Sequence, residues 1–339
     1  MPRSQRTQWI WGTDGRLSTG ADRYPGFYDR APIGRNDTIT GQAGADTLTG
    51  NAGVDRFNVD AGIDTLTDVG NGGADDVVIS AGATANGTVT VDWIATAITT
   101  NAGLATFTSN AAGIDINLAL ATGANGYSIV GSTGAEILVG SAQADTITGG
   151  VGVDTITGGL AVDSLTGGVG ADQFVFTSGL TIDTVTDFTA AQTDVAAFSL
   201  AALETAGATI AGSTLDFVLG SNVSVAAGGA ISVQAIAGAV TIAAATNVFN
   251  YTTAAVANAA ALETALEATG ITAAGALAVN DSFLIQYTTA AGVQNLAVAT
   301  VTNATNAAAL VGAHWDVTDI ASLTGGIADL AAAQYAFVA

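Results

Sequence analysis

The chain has 339 residues and a formal charge of −22, from 29 acidic against 7 basic residues, with no Lys and no Cys. So acidic a chain offers no counterface to nucleic acid or an anionic membrane. The missing Cys excludes disulfides, thiolate zinc sites and cysteine nucleophiles, and a single His (His314) excludes any site that needs two imidazoles. The natural partner for so many carboxylates is a hard cation that prefers oxygen ligands.

Residues 1–32 hold all three Pro, five of the seven Arg, and Trp9 and Trp11. No helical or strand period runs through them, so they are expected to form a basic, aromatic segment that is disordered or acts as an anchor. Residues 1–30 lack the continuous apolar run of a secretory leader. The stretch from Gly229 to Ala245 alternates as strands do and carries Ser232, Gln234 and Thr241, so it reads as buried β-structure and no membrane insertion is expected.

From residue 33 a nine-residue beat takes over. Asp37, Asp46, Asp55 and Asp64 keep it, each followed two residues later by Ile39, Leu48, Phe57 or Leu66. After a less regular segment, 70–128, it returns in 129–198 with Glu136, Asp145, Asp154, Asp163 and Asp172, trailed by Leu138, Ile147, Ile156, Leu165 and Phe174. Asp37, Asp46 and Asp55 map onto Asp154, Asp163 and Asp172 with one offset of 117 residues, and both blocks close alike, GIDTLTDV at 62–69 and TIDTVTDF at 181–188. A duplication accounts for this. The segment between, rich in Thr, Val, Ala and Gly, is expected to form strands.

The physics of the nonapeptide is legible in GGVGVDTIT at 149–157 and GGVGADQFV at 167–175. Six residues make a glycine-rich turn and three make a strand whose middle residue points inward while its neighbours, such as Thr155 and Thr157, face solvent. One such unit buries too little to stand alone, so the units must stack. Stacking sets carboxylates about 4.8 Å apart, where like charges repel by roughly 3 kcal/mol at an effective dielectric near 20. A divalent cation between the turns reverses that sign, and calcium, which accepts six to eight oxygens including backbone carbonyls, suits glycine turns better than magnesium.

These repeats resemble the GGxGxDxUx nonapeptide of the RTX proteins, a sequence pattern associated with calcium-binding β-helices. The resemblance implies a mainly β fold: a parallel β-roll or β-solenoid with two calcium-binding blocks, 33–69 and 129–198, holding several calcium ions. It implies that Asp37 stacks with Asp55, Asp46 with Asp64, Asp145 with Asp163 and Asp154 with Asp172. The implied metal set is completed by Glu136, by the turn glycines Gly150, Gly152, Gly159, Gly168 and Gly170, and by Asp183 and Asp187 in the closing coil. Gln143 and Ala161 stand where the repeat has its fourth-position Gly, and Glu136 where it has Asp.

Beyond residue 198 the beat ends. Residues 199–339 are expected to form a β-rich domain with a few short helices: SLAALETAGA at 199–208 and AVANAAALETALEATG at 255–270 read as helical, SFLIQYTT at 282–289 and NLAVATVTN at 295–303 as strands joined around Gly292. The final stretch, 319–339, is similar to the uncleaved export signal of RTX proteins that leave the cell by type I secretion. His314-Trp315-Asp316 is expected to be a packed surface element, and Asp75-Asp76 a solvated loop.

No constellation for catalysis emerges, so the chain is not expected to be an enzyme. The expected function is a calcium-dependent, self-assembling extracellular structural protein, a surface-layer, matrix or filament subunit at the cell surface. Its partners would be copies of itself, the type I secretion machinery and a cell-surface polysaccharide. The alternatives are a carbohydrate- or ice-binding adhesin module with flat Thr-rich strand faces, and a non-catalytic part of an RTX hydrolase.

Overall fold

The structure, a computed structural model, describes residues 28–30, 34–177, 182–199, 233–236, 241–242, 248–268, 272–273, 282–303, 314–323 and 335–338. They form a right-through stack of short parallel strands. One face of the stack is a single sheet containing Thr47–Thr49, Ala61–Val69, Thr84–Val89, Leu104–Ser109, Ser128–Val130, Thr146–Val151, Ser164–Val169 and Asp183–Val185 in that order. The opposite side carries two shorter sheets. One holds Thr38–Thr40, Arg56–Val59, Asp76–Ile79, Thr100–Asn101 and Thr122–Gly123, the other Trp93–Ile94, Ile116–Asn117, Ile137–Val139, Thr155–Thr157, Gln173–Phe176, Val195–Ser199 and Tyr335–Val338.

The expected β-solenoid is therefore present, and its inward residues are those the nonapeptide designates. Ile39, Leu48, Phe57, Leu66, Leu138, Ile147, Ile156, Leu165 and Phe174 are all fully buried. Thr, Val and Ile suit these triplets because a branched side chain packs well on a pleated surface. Partners lie 18 residues apart inside the repeat blocks, as Thr38 with Arg56 and Thr146 with Ser164.

Residues 70–128 continue the same stack. Ala61–Val69 pairs with Thr84–Val89, and Leu104–Ser109 with Ser128–Val130, so both nonapeptide blocks share one sheet. Here the coil lengthens to between 20 and 23 residues: Asn86 pairs with Thr106, and Trp93 with Ile116. The added residues contribute a third strand to each coil, and a three-sided coil encloses more volume. Larger side chains fill it. Trp93 meets Phe107 edge-on at 4.8 Å between ring centroids, and Phe107 meets Tyr127 at 6.0 Å. A Cβ on Gly87 would sit 2.4 Å from the Phe107 ring, so this glycine makes room for it.

The later elements join the roll. Asp183–Val185 pairs in parallel with the end of His314–Leu323, which turns antiparallel against Gln294–Asn303, itself antiparallel to Ser282–Thr289. The expected hairpin around Gly292 is thus present, and His314-Trp315-Asp316 begins a strand. The helix expected at 255–270 spans Ala259–Ala268, capped by the Asn258 side chain, with Leu262 and Leu266 buried one turn apart; residues 255–256 end a strand instead. Of the N-terminal segment, expected to be disordered or an anchor, Tyr28–Arg30 is a strand paired with Thr47–Thr49; the rest of 1–32 lies outside the described residues. The helix expected at 199–208 also falls outside them beyond Ser199, which ends a strand. Within the expected export signal, Tyr335–Val338 pairs in parallel with Val195–Ser199.

Candidate calcium ladders

Each repeat carboxylate enters the roll where its turn becomes a strand, and there it meets the backbone of the coil before it. The Asp37 N–H donates to Asp55 Oδ1 at 2.8 Å, and the Asp55 N–H to Asp75 Oδ1 at 2.8 Å. Farther along, the N–H groups of Glu136, Asp154 and Asp172 donate to Oδ1 of Asp154, Asp172 and Asp194 at 3.0, 2.9 and 3.1 Å. At the other turn of the coil the Asp46 N–H donates to Asp64 at 3.0 Å, and those of Tyr127, Asp145 and Asp163 donate to Asp145, Asp163 and Asp183 at 2.6, 2.7 and 3.0 Å. All four stacked pairs implied by the resemblance are side by side in the structure.

These bonds use one oxygen of each carboxylate. The second, Oδ2 of Asp37, Asp55, Asp64, Asp154, Asp163 and Asp172 and Oε2 of Glu136, is buried and accepts no hydrogen bond. A buried anionic oxygen with no partner is costly. The turns close tightly around it: a Cβ on Gly50, Gly149, Gly158 or Gly167 would lie 2.3, 2.4, 2.3 or 2.3 Å from Oδ2 of Asp55, Asp154, Asp163 or Asp172. Burial accordingly pushes the carboxyl groups up, those of Asp55 and Asp64 to about 6, Asp154 to about 7 and Asp163 to about 8, with neighbouring carboxylates adding to the rise. Asp37 and Asp172 rise for the same reason.

Calcium fits this donor set. The unpartnered oxygens supply the charge, and the turns at Gly150, Gly152, Gly159, Gly168 and Gly170 bring backbone carbonyls of adjacent coils close: a Cβ on Gly168 would lie 2.0 Å from the Gly150 carbonyl oxygen. Among the described residues no three acidic or imidazole side chains converge on one point, so any ion here takes most of its oxygens from the backbone, as calcium readily does.

Two implied ligands are placed differently. Both oxygens of Asp187 accept amides, from Gly167 at 2.9 Å and Gly168 at 2.7 Å, so this carboxylate braces a turn instead of facing a cation. Asp68 does the same for Gly50 and Asn51 in the first block. Asp145 is satisfied on both oxygens, its Oδ2 taking the Ser141 N–H at 2.6 Å and the Ser141 hydroxyl at 3.0 Å. Asp183 is buried and receives the Asp163 N–H. The ladders also contain Asp75 and Asp194, which the nine-residue beat does not reach. Asp75 and Asp76 are buried in the stack rather than in a solvated loop; the hexapeptide GNGGAD at 70–75 is the signal that marks Asp75.

The family model of the RTX calcium-binding nonapeptide repeat (4 copies) matches residues 34–66, 130–165 and 152–179, which are the segments that carry the unpartnered carboxylates. No curated protein and no solved structure matches the chain.

Proposed function

We propose that this chain, an RTX calcium-binding repeat protein, is a secreted structural subunit that calcium folds and that then assembles with copies of itself at the cell surface. One observation carries the reading. On the long sheet an outward file runs Thr47, Thr65, Asn86, Thr106, Ser128, Thr146, Ser164 and Thr184 in unbroken register. A second file beside it holds Thr88, Thr108, Val130, Thr148 and Thr166. Hydroxyls also bond from coil to coil, Thr49 to Thr67 at 2.8 Å and Thr166 to Thr186 at 2.7 Å. Neither file contains a charge, in a chain of −22. The opposite side is split between two sheets and carries the Arg56–Asp76 pair at 3.5 Å.

Two copies repel through most of their surfaces. The threonine face is where they can meet at sheet-packing distance without that repulsion, once calcium holds it flat. The reading assigns the chain no catalytic role, and it takes residues 319–339 as the export signal for type I secretion. Purified chain is expected to form ordered polymers in millimolar calcium, seen by negative-stain microscopy, and to revert in chelator. Thr106→Glu with Thr146→Glu is expected to keep calcium-dependent circular dichroism and stay monomeric. Wild-type protein that is folded and monomeric at millimolar calcium would exclude the subunit reading.

The same files favour a second reading, a flat module for a periodic uncharged surface, crystalline carbohydrate or ice. Their spacing along the roll, about 4.8 Å per coil, is regular over eight strands. Retention of folded monomer on insoluble polysaccharide or on ice, lost in the double Glu variant, would mark this alternative.

A further inference from the structure

We infer that the coils spanning residues 76–130 form a metal-free centre that stays folded without calcium, and that the calcium ions belong to the stacks on either side of it. The inference rests on calcium binding by the repeats and concerns where in this chain that binding stops.

In the centre the ladder positions lose their carboxylates. Asp64 pairs in register with Ala85, and Ala85 with Ala105. Tyr127 occupies the next rung, immediately before Ser128, which pairs with Thr106 on one side and Thr146 on the other. In the other ladder Ile114, two residues before the Ile116–Leu138 pair, stands at the rung of Glu136. No buried carboxylate oxygen between residues 76 and 130 lacks a hydrogen bond among the described residues.

The ladders are also closed at its borders by the chain itself. Below, Asp75 takes the Asp55 N–H on Oδ1 and the N–H of Gly70 on Oδ2, both at 2.8 Å. Above, Ser141 supplies an amide and a hydroxyl to Asp145, where the turns ending at Asp55, Asp154, Asp163 and Asp172 leave Oδ2 without a hydrogen bond. The backbone reflects the difference. The second turn residue has a positive φ in the turns ending at Asp46, Asp55, Asp154, Asp163 and Asp172, but Ser141 does not. Glu136 marks the first open rung of the upper stack: Oε1 holds the Gly113 N–H at 2.6 Å and Oε2 is unpartnered.

Neutral groups in the centre do what a cation would do in the flanks. Asn101 Nδ2 donates to the Gly126 carbonyl at 2.5 Å, and Asn125 Nδ2 to the Gly103 carbonyl at 2.8 Å, each tying a turn to the adjacent coil. The Trp93 indole N–H reaches the Asp75 carbonyl at 2.9 Å, while its ring packs against Phe107, which in turn meets Tyr127. Nothing in these coils requires a cation to cancel buried charge, and Trp93, the largest fully buried side chain among the described residues, lies in them.

Hydrogen exchange of the full chain, followed by mass spectrometry, tests this directly. In chelator, amides of 84–89, 104–109 and 128–130 are expected to exchange at least on the order of tenfold more slowly than those of 155–157, 164–169 and 173–176, and millimolar calcium is expected to protect the second group. Asp163→Asn is expected to weaken the calcium-induced protection and leave the centre unchanged. Phe107→Ala is expected to remove the protection seen in chelator. Loss of protection throughout the wild-type chain in chelator would overturn the metal-free centre while leaving calcium binding intact. Flanks equally protected with and without calcium would instead overturn the calcium reading of the turns, and the inference with it.

Discussion

Calcium-free protein is expected to melt at a higher temperature at pH 5 than at pH 8, and calcium-loaded protein to show the opposite slope. In the unfolded chain the aspartates titrate near 3.8; in the roll, burial lifts Asp55 and Asp64 to about 6, Asp75, Asp154 and Asp183 to about 7, and Asp163 to about 8. Between these limits the folded chain binds more protons than the unfolded one, so its stability falls as pH rises. The stabilisation is complete below about pH 4 and is lost progressively as pH climbs through 6 to 8. Calcium inverts the dependence because it competes with the same protons: the ion binds ionised carboxylates, and acid releases it. A pKa shift of one unit corresponds to about 1.4 kcal/mol, and several groups titrate together, so melting temperatures of the stripped protein are expected to differ by on the order of 10 °C across the range. Thermal melts followed by circular dichroism at pH 5, 6, 7 and 8, on stripped and calcium-saturated protein, decide the matter. Parallel slopes in the two forms would mean that the buried carboxylates are not where calcium acts.

The parts of the fold that were legible in the sequence are those where local chemistry repeats in phase. Asp154 and Ile156 announce turn, strand and inward residue without help from the rest of the chain, and the same phase places Ile39 and Phe174 in the core. Residues 70–128 hide their membership of the roll because their coils run to 20 or more residues, and a period that drifts cannot be counted. Asp75 disappears for that reason, two residues off the beat although its GNGGAD turn is intact. Asp194 is harder still, since TAAQTD at 189–194 has no glycine to mark it. The pairing of His314–Leu323 with Asp183–Val185 joins segments more than 100 residues apart and leaves no period at all.

The candidate site divides differently. The stacking of Asp145 on Asp163 was implied by the resemblance to the RTX repeat, but the repeat pattern cannot tell an open carboxylate from a closed one. Asp145 and Asp163 occupy equivalent rungs, and the difference lies in Ser141, whose hydroxyl and amide both reach Asp145. A Ser in place of the second turn Gly is visible in the sequence; that it adopts a different backbone conformation and turns toward its own carboxylate is not. Asp187 is a similar case, because its two amide partners, Gly167 and Gly168, belong to the preceding coil.

Gly152→Ala is expected to be among the most damaging single substitutions in the roll. Gly152 has φ +156°, and a Cβ there would fall 1.4 Å from the Gly134 carbonyl oxygen and 2.4 Å from its carbon. Neither atom can withdraw, since both are backbone in the neighbouring coil. The same approach recurs one coil on, where a Cβ on Gly170 would lie 1.4 Å from the Gly152 carbonyl oxygen. An alanine therefore forces adjacent coils apart at the turn whose carbonyls would hold calcium, and the cost combines backbone strain with loss of stacking, about 3 kcal/mol or more. Gly82→Ala separates the two contributions. Gly82 also has a positive φ, +82°, but nothing lies within 4 Å of the added methyl, so only the conformational penalty applies, about 1 kcal/mol. At saturating calcium the melting temperature is expected to fall by roughly 6–12 °C for Gly152→Ala and by about 2–4 °C for Gly82→Ala. The Gly152 variant should also need more calcium for half-maximal folding, and the Gly82 variant should not. If the two variants melt together with unchanged calcium requirements, the turns of successive coils are not packed backbone against backbone.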